Sequence, residues 1–209
     1  MVRKEELKYK DIKYLLYYPK DYKEGKKYPV FFHLHGSGNR GNDFSLFKPE
    51  ESPILRQVEL NDSPLQKAFC VIPLCDKDTW FDMFSELLEF TKFIYNQDYT
   101  DQSHFVGSGV SMGGYGIYQV MMSLPELFYK AIVCCGGGMY WNAGRMKNIK
   151  IRVFHGVNDN AVYPEEAYRM YNNLKNNGAD VTLYIDKDCG HNIWDKTYLN
   201  DENLEWLMQ

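Results

Sequence analysis

No stretch of this chain approaches the ~20 consecutive apolar residues of a membrane-spanning helix. Its first residues, Met1-Val2-Arg3-Lys4-Glu5-Glu6, are charged, and no apolar core of signal-peptide type follows them. A cytoplasmic protein without a membrane partner is therefore expected. Positive charge is not in excess either: the net charge is -4 and no basic stripe occurs, which argues against nucleic acid as a partner. Cysteines are few and odd in number, 5 in all, and Cys134 and Cys135 are neighbours in a strand-like run. Reduced core thiols are expected, not a disulfide framework. No Cys or His pair has metal-ligand spacing, Cys189-Gly190-His191 coming nearest, and neither a metal nor another cofactor is expected. Internal repeats, low-complexity segments and linkers are missing too. What is present is 209 residues, 44% hydrophobic, enough to bury a large single core, so residues 1–209 are expected to form one domain.

Apolar runs separated by helical patterns organise the chain. Tyr14 to Pro19 reads as an early strand, and Lys20 to Lys27 as a polar turn. Tyr28 to His35 and Ala68 to Leu74 are nearly continuous apolar runs, as expected for strands covered on both faces. The stretch from Pro53 to Pro64 between them is placed only loosely. Asp82 is a candidate cap for a helix whose Phe84, Leu87, Leu88, Thr91, Ile94 and Tyr95 share one face. Lys130 to Cys135 and Ile149 to His155 are further short strands, and Val181, Leu183 and Ile185 alternate in a last one. Pro164, with Glu165 and Glu166, opens a helix buried along Ala167, Met170, Tyr171 and Leu174, and a terminal helix carries Leu204 and Leu207. Strands alternating with helices predict an α/β domain with a mainly parallel central sheet and helices on both faces. Ligands then belong outside the carboxyl ends of the strands.

The stretch Phe105 to Gly116 carries the chemistry. Gly109-Val110-Ser111-Met112-Gly113 fits G-x-S-x-G, with an apolar run before it and Ile117, Val120 and Met121 at helical spacing after it. Strand, sharp turn and helix in that order hold a serine hydroxyl clear of a sheet edge. A serine needs a base, and the base needs an orienting acid. In the order Ser, acid, His, only His191 follows a plausible acid that itself follows Ser111. The acid that best leaves a strand is Asp159, in His155-Gly156-Val157-Asn158-Asp159. Glu165 and Glu166 are better explained as first-turn helix acids, and Asp180 begins a strand. Asp186 and Asp188 are the rivals, but they share a strand and loop with His191 and are poorly placed to brace it. An oxyanion requires two backbone N–H donors. Met112 supplies one, and the loop Gly36-Ser37-Gly38 the other, with Ser37 favoured and Gly36 or Gly38 open by a one-residue slip.

Together the elbow, His35-Gly36-Ser37-Gly38, the His155 to Asp159 segment and Gly190-His191 resemble the α/β-hydrolase superfamily. Leu34 to Gly41 with Asp43, Ser111 to Gly116, Pro125-Glu126-Leu127-Phe128 and Gly136-Gly137-Gly138 are similar to its compact esterase branch. That branch includes phospholipase/carboxylesterase-like, feruloyl-esterase-like and acetyl-esterase-like enzymes, with domains related to prolyl oligopeptidase nearby. His191 to Trp194, Tyr198 and Trp206-Leu207 carry the likeness to the C-terminus. Two positions depart from the pattern: Asn39 stands where Glu is frequent, and Leu74 where Gln is frequent. Ser111 stands where dienelactone hydrolases have cysteine, which argues against that activity.

The resemblance implies a Ser-His-Asp hydrolase acting through an acyl-enzyme on carboxylic esters, with short-chain or aromatic acyl groups, on a small molecule or a carbohydrate. A peptidase or thioesterase would use the same three residues, and a non-catalytic binding member of the fold is the reading from another class. The segment Gly136 to Asn148 is short, so no sizeable lid is expected. Trp80, Tyr140, Trp141 and Trp194 are candidate aromatic platforms, and Arg40 a candidate contact for a carboxylate or sugar hydroxyl.

Overall fold

The apolar runs lie side by side in one eight-stranded sheet. The computed structural model of the chain describes residues 2–59 and 62–209. Its strands are β1 (Lys4–Tyr9), β2 (Ile12–Tyr17), β3 (Tyr28–Leu34), β4 (Phe69–Pro73), β5 (Thr100–Val110), β6 (Lys130–Cys134), β7 (Lys150–Gly156) and β8 (Val181–Asp186). Its helices are α1 (Pro53–Glu59), α2 (Phe84–Tyr95), α3 (Met112–Ser123), α4 (Glu165–Asn176), α5 (Trp194–Tyr198) and α6 (Asp201–Met208). The strand order is β1-β2-β4-β3-β5-β6-β7-β8. β1 pairs β2, and β2 pairs β4, antiparallel; the remaining pairs are parallel.

Side-chain alternation sends each strand into two cores. Val30, Phe32 and Leu34 of β3 face the layer with Leu87 and Phe90 of α2, Ile117 and Val120 of α3, and Met170 and Leu174 of α4. Phe31 points the other way, toward Ile54 and Val58 of α1 and Leu204 and Leu207 of α6. With both faces covered, polar alternation has no use, and the strands read as continuous apolar runs.

Three local features differ from the sequence reading. The charged N-terminus forms β1, a sheet edge whose residues alternate between exposed and half-buried. Its Lys and Glu side chains suit an edge that must not pair with another chain. Thr79, not Asp82, caps the entry to α2. Its hydroxyl accepts from Phe81 N–H at 3.2 Å, while Asp82 accepts back from Thr79 N–H at 2.9 Å, a reciprocal box over the turn Trp80–Met83. The loosely placed stretch contains α1 and begins the turn Pro64–Lys67, with residues 60 and 61 outside the described ones. Among the described residues no helix is long and apolar enough to cross a membrane.

Candidate active site

Ser111 joins the end of β5 to the start of α3 with φ 52 and ψ -119, a conformation costly for a residue with a side chain. The turn is held from both sides: Ser111 N–H donates to Cys134 O at 3.0 Å, and its carbonyl accepts from Tyr115 N–H at 3.2 Å. Strand and helix approach so closely that only glycine fits beside the serine. A Cβ on Gly109 would lie 2.2 Å from Gly113 O, and one on Gly113 would lie 2.0 Å from Leu34 O. The sequence pattern therefore records a backbone crossing.

His191 comes to Ser111 on the loop after β8. Its Nε2 lies 2.9 Å from Ser111 Oγ and its Nδ1 lies 2.7 Å from Asp159 Oδ2. A carboxylate accepts, so Nδ1 carries the ring proton and Nε2 is free to take one from the serine. Asp159, on the loop after β7, is almost fully buried. Burial raises its pKa, but the His191 hydrogen bond and the N–H groups of Val162 and Ala161, each 2.9 Å from Oδ1, outweigh it and hold the carboxyl below its usual range. Asp186 is engaged elsewhere, with Lys196 Nζ at 2.7 Å and Asp188 N–H at 2.9 Å, and the carboxylate on His191 Nδ1 is that of Asp159.

The loop after β3 is fastened by His35. Nδ1 donates to Gly36 O at 2.7 Å, and Nε2 accepts from Cys75 N–H at 3.0 Å. Burial, with Arg40 nearby, pulls this imidazole down to about 4, so it sits neutral with both nitrogens used. A Cβ on Gly36 would stand 3.7 Å from Ser111 Cβ, which sets the loop against the serine. Ser37 opens the short turn Ser37–Asn39 and Met112 opens α3. Neither N–H has a partner within its own helical turn, and both are available to an oxyanion. Arg40 faces away from this space. Its Nε donates to Ser37 O at 3.0 Å and its Nη1 to Asp78 O at 2.7 Å, so it braces the loop.

A cavity of about 310 Å³ opens beside Ser111 and His191. Its walls include Phe47, Ile54, Leu55, Ile72 and Trp194, with Gly36 and Ser37 at one side. Trp194 also meets the His191 ring edge to face, 5.2 Å between centroids. The other two candidate tryptophans do not reach it. Trp80 is fully buried, its Nε1 donating to His35 O at 3.1 Å, so it offers no face to a ligand. Trp141 is 70% exposed on the turn Tyr140–Met146, which packs on α3 and α4 away from the cavity.

Sequence reasoning missed the wall made by α1, although Ile54, Leu55 and Val58 carry a helical spacing that would have found it. It also passed over His33, the polar interruption of an apolar strand, and His155. Cys135, Asp159 and His191 bring three ligand atoms within 4.8 Å of one another. Two of them are already joined by the 2.7 Å hydrogen bond, and burial keeps the Cys135 thiol protonated by raising its pKa, so the group is poorly suited to a metal.

Central sheet, serine elbow and facing imidazole are the arrangement of the α/β-hydrolase fold. A model of the prolyl oligopeptidase family matches residues 139–208. A curated relative, dipeptidyl-peptidase 5 of Aspergillus fumigatus, is 28% identical over 134 residues, which are 61% of this chain and 19% of that protein. The solved structure of a thermostable esterase is 30% identical with a TM-score of 0.79, over 99% of this chain and 62% of the other. A ferulic acid esterase is 16% identical with a TM-score of 0.72, over 100% and 97% of the two chains, a likeness of fold. The chain thus has the α/β-hydrolase fold and is similar to esterases and peptidases that share it, and it spans less than two thirds of the first of these relatives.

Proposed function

We propose that this protein cleaves carboxylic esters through an acyl-enzyme on Ser111. The observation that carries the reading is the hydrogen-bonded line Asp159, His191, Ser111 beside a cavity lined by both apolar and polar side chains. His191 Nε2 takes the Ser111 proton as Oγ attacks the ester carbonyl. The oxygen of the tetrahedral intermediate receives hydrogen bonds from Ser37 and Met112 N–H. Asp159 holds the imidazolium, which then gives its proton to the departing alcohol; water repeats the sequence to free the acid.

Trp194 and Phe47 favour short or aromatic acyl groups, carried by a small molecule or a carbohydrate. The match to peptidases over residues 139–208 supports a second reading, amide cleavage by the same residues. Fluorophosphonate labelling with mass spectrometry, alongside p-nitrophenyl acetate, methyl ferulate and an aminoacyl-p-nitroanilide, separates the two. Labelling at Ser111 with ester turnover supports the first reading, anilide turnover alone the second. A folded protein that takes no label overturns both.

A further inference from the structure

Three buried polar side chains, from three different elements, form one hydrogen-bonded chain beneath the site. His33 of β3 and Ser108 of β5 are register partners, and His33 Nδ1 lies 3.1 Å from Ser108 Oγ. Ser108 Oγ lies 2.5 Å from the Tyr198 hydroxyl of α5. His33 is 5% exposed, and Ser108 and Tyr198 are fully buried. Ser108 can donate to one neighbour while accepting from the other, so the chain is unbroken with either His33 tautomer. His33 Nε2 has no hydrogen-bond partner among the described residues and opens to the cavity that His33 lines.

Each link lies close in sequence to a working part of the site. His33 leads to the loop of Ser37, Ser108 lies in the strand that ends at the elbow, and Tyr198 closes the helix that follows the His191 loop. That helix, α5, has 5 residues and is too short to hold its own place. The first half of the His191 loop is bonded to the loop after β7, with Asn158 N–H donating to Cys189 O at 3.0 Å and Asn158 Nδ2 to Lys187 O at 3.1 Å. The second half runs into α5, where the Thr197 and Tyr198 hydroxyls meet the Cys134 thiol and Tyr198 also meets Ser108. Cys134 is the residue whose carbonyl accepts Ser111 N–H at 3.0 Å. The helix behind the base is thereby fastened to β5 and β6, the two strands that hold the serine. Breaking one link would leave polar groups unpaired in a medium of low dielectric, so the buried chain keeps its partners in place.

We propose that Tyr198 is a positioning residue for His191, and that its hydrogen bond to Ser108, itself held by His33, sets His191 Nε2 against Ser111 Oγ. The proposal rests on Ser111 and His191 being nucleophile and base, but half of its test reads the loop and not turnover.

The test deletes the link from either side. Tyr198→Phe and Ser108→Ala each remove one oxygen, and the double variant removes both. On p-nitrophenyl acetate each single change is expected to lower kcat about tenfold, with KM altered by less than about twofold. The double variant should lose little more than either single one, because both break the same link. Hydrogen–deuterium exchange read by mass spectrometry should show faster exchange over residues 187–198 in both single variants, with β5 unchanged. Thr91→Val, which removes a buried hydroxyl bonded to Leu87 O in α2, should change neither readout. Near-UV circular dichroism checks each fold, and if one single variant does not fold the other carries the same test. Unchanged kcat in the single variants, losses that multiply in the double variant, an equal loss in Thr91→Val, or unchanged exchange over residues 187–198 would each overturn the proposal. Faster exchange in the variants of a protein that hydrolyses no ester as wild type would count against the esterase reading alone.

Discussion

His155 Nε2 stands 3.2 Å from the same Asp159 oxygen that faces His191 Nδ1 at 2.7 Å. His155 Nε2 also lies 2.8 Å from Val162 O, so it looks onto two acceptors and must carry the ring's hydrogen. Its Nδ1 is then a bare lone pair, buried and without a partner, which costs less than an unpaired N–H would. A second imidazole is thus packed against the acid, its N–H bonded to Val162 O beside the carboxylate. His155→Leu is expected to lower kcat about tenfold at constant KM, through misplacement of Asp159. His155→Gln, which returns an N–H near the Nε2 position, should recover much of it. Steady-state kinetics on p-nitrophenyl acetate decide. If Gln rescues nothing, His155 serves packing and not the acid.

Removing the acid itself is the stronger perturbation. Asp159→Asn keeps the shape but places an amide where His191 Nδ1 needs an acceptor, favouring the wrong tautomer. A fall of about 10⁴ in kcat is expected under the proposed mechanism, as for the same change in Ser-His-Asp hydrolases. The companion change Asp186→Asn should alter kcat by less than about threefold, since that carboxylate is bonded to Lys196. The reverse pattern would assign the acid to Asp186.

Gly113 decides whether the elbow can form. A methyl there would meet Leu34 O at 2.0 Å and His35 O at 2.6 Å, both backbone atoms of the strand leading to the oxyanion loop. Neither can move without shifting β3. Gly113→Ala is expected to cost about 3 kcal/mol or more in urea unfolding, and to lose activity even where it folds. A fully active, equally stable variant would mean that α3 and β3 are farther apart than described.

Arg40 separates bracing from substrate binding. It ties Ser37 O to Asp78 O across the mouth of the oxyanion loop. Arg40→Ala is expected to reduce kcat about tenfold for acetate and for larger acyl esters alike, because the Ser37 donor is loosened for all of them. A loss that instead follows the acyl or alcohol group, mainly in KM, would restore Arg40 as a substrate contact.

The legible parts of this chain are those where one residue type has one physical use. Gly109 and Gly113 mark a backbone crossing, and a histidine on a loop after the last strand meets an acid on the loop after β7. Topology sends both to the same sheet edge, so the juxtaposition of Ser111, Asp159 and His191 followed from order alone. Trp80 was less legible. A tryptophan in a loop reads as a surface platform, yet here a single hydrogen bond to His35 O lets it fill the core. β1 was hidden because an edge strand is selected for charge, which erases the apolar alternation. His33 was hidden for the opposite reason: inside an apolar run a lone histidine looks like filler, and only the cavity shows which nitrogen is free.

His33 and His35 also set how stability responds to acid. Burial pulls their folded pKa values down to about 3 and about 4, from an ordinary value of 6.5. Below 6.5 the unfolded chain binds protons that the folded chain refuses. Stability therefore falls as pH falls from there, and this loss stops only when the folded rings protonate near their own lowered values. Each ring contributes a slope of up to about 1.4 kcal/mol per pH unit. His33→Leu removes one of them, whatever it costs in packing at neutral pH. Urea unfolding at about pH 7, 6 and 5 should show the gap between wild type and variant shifting in the variant's favour by about 1 kcal/mol across the lower unit. The carboxylates common to both proteins cancel from that difference. A gap that stays constant with pH would mean that His33 takes up its proton in the folded chain as readily as in the unfolded one, and that its nitrogen meets water.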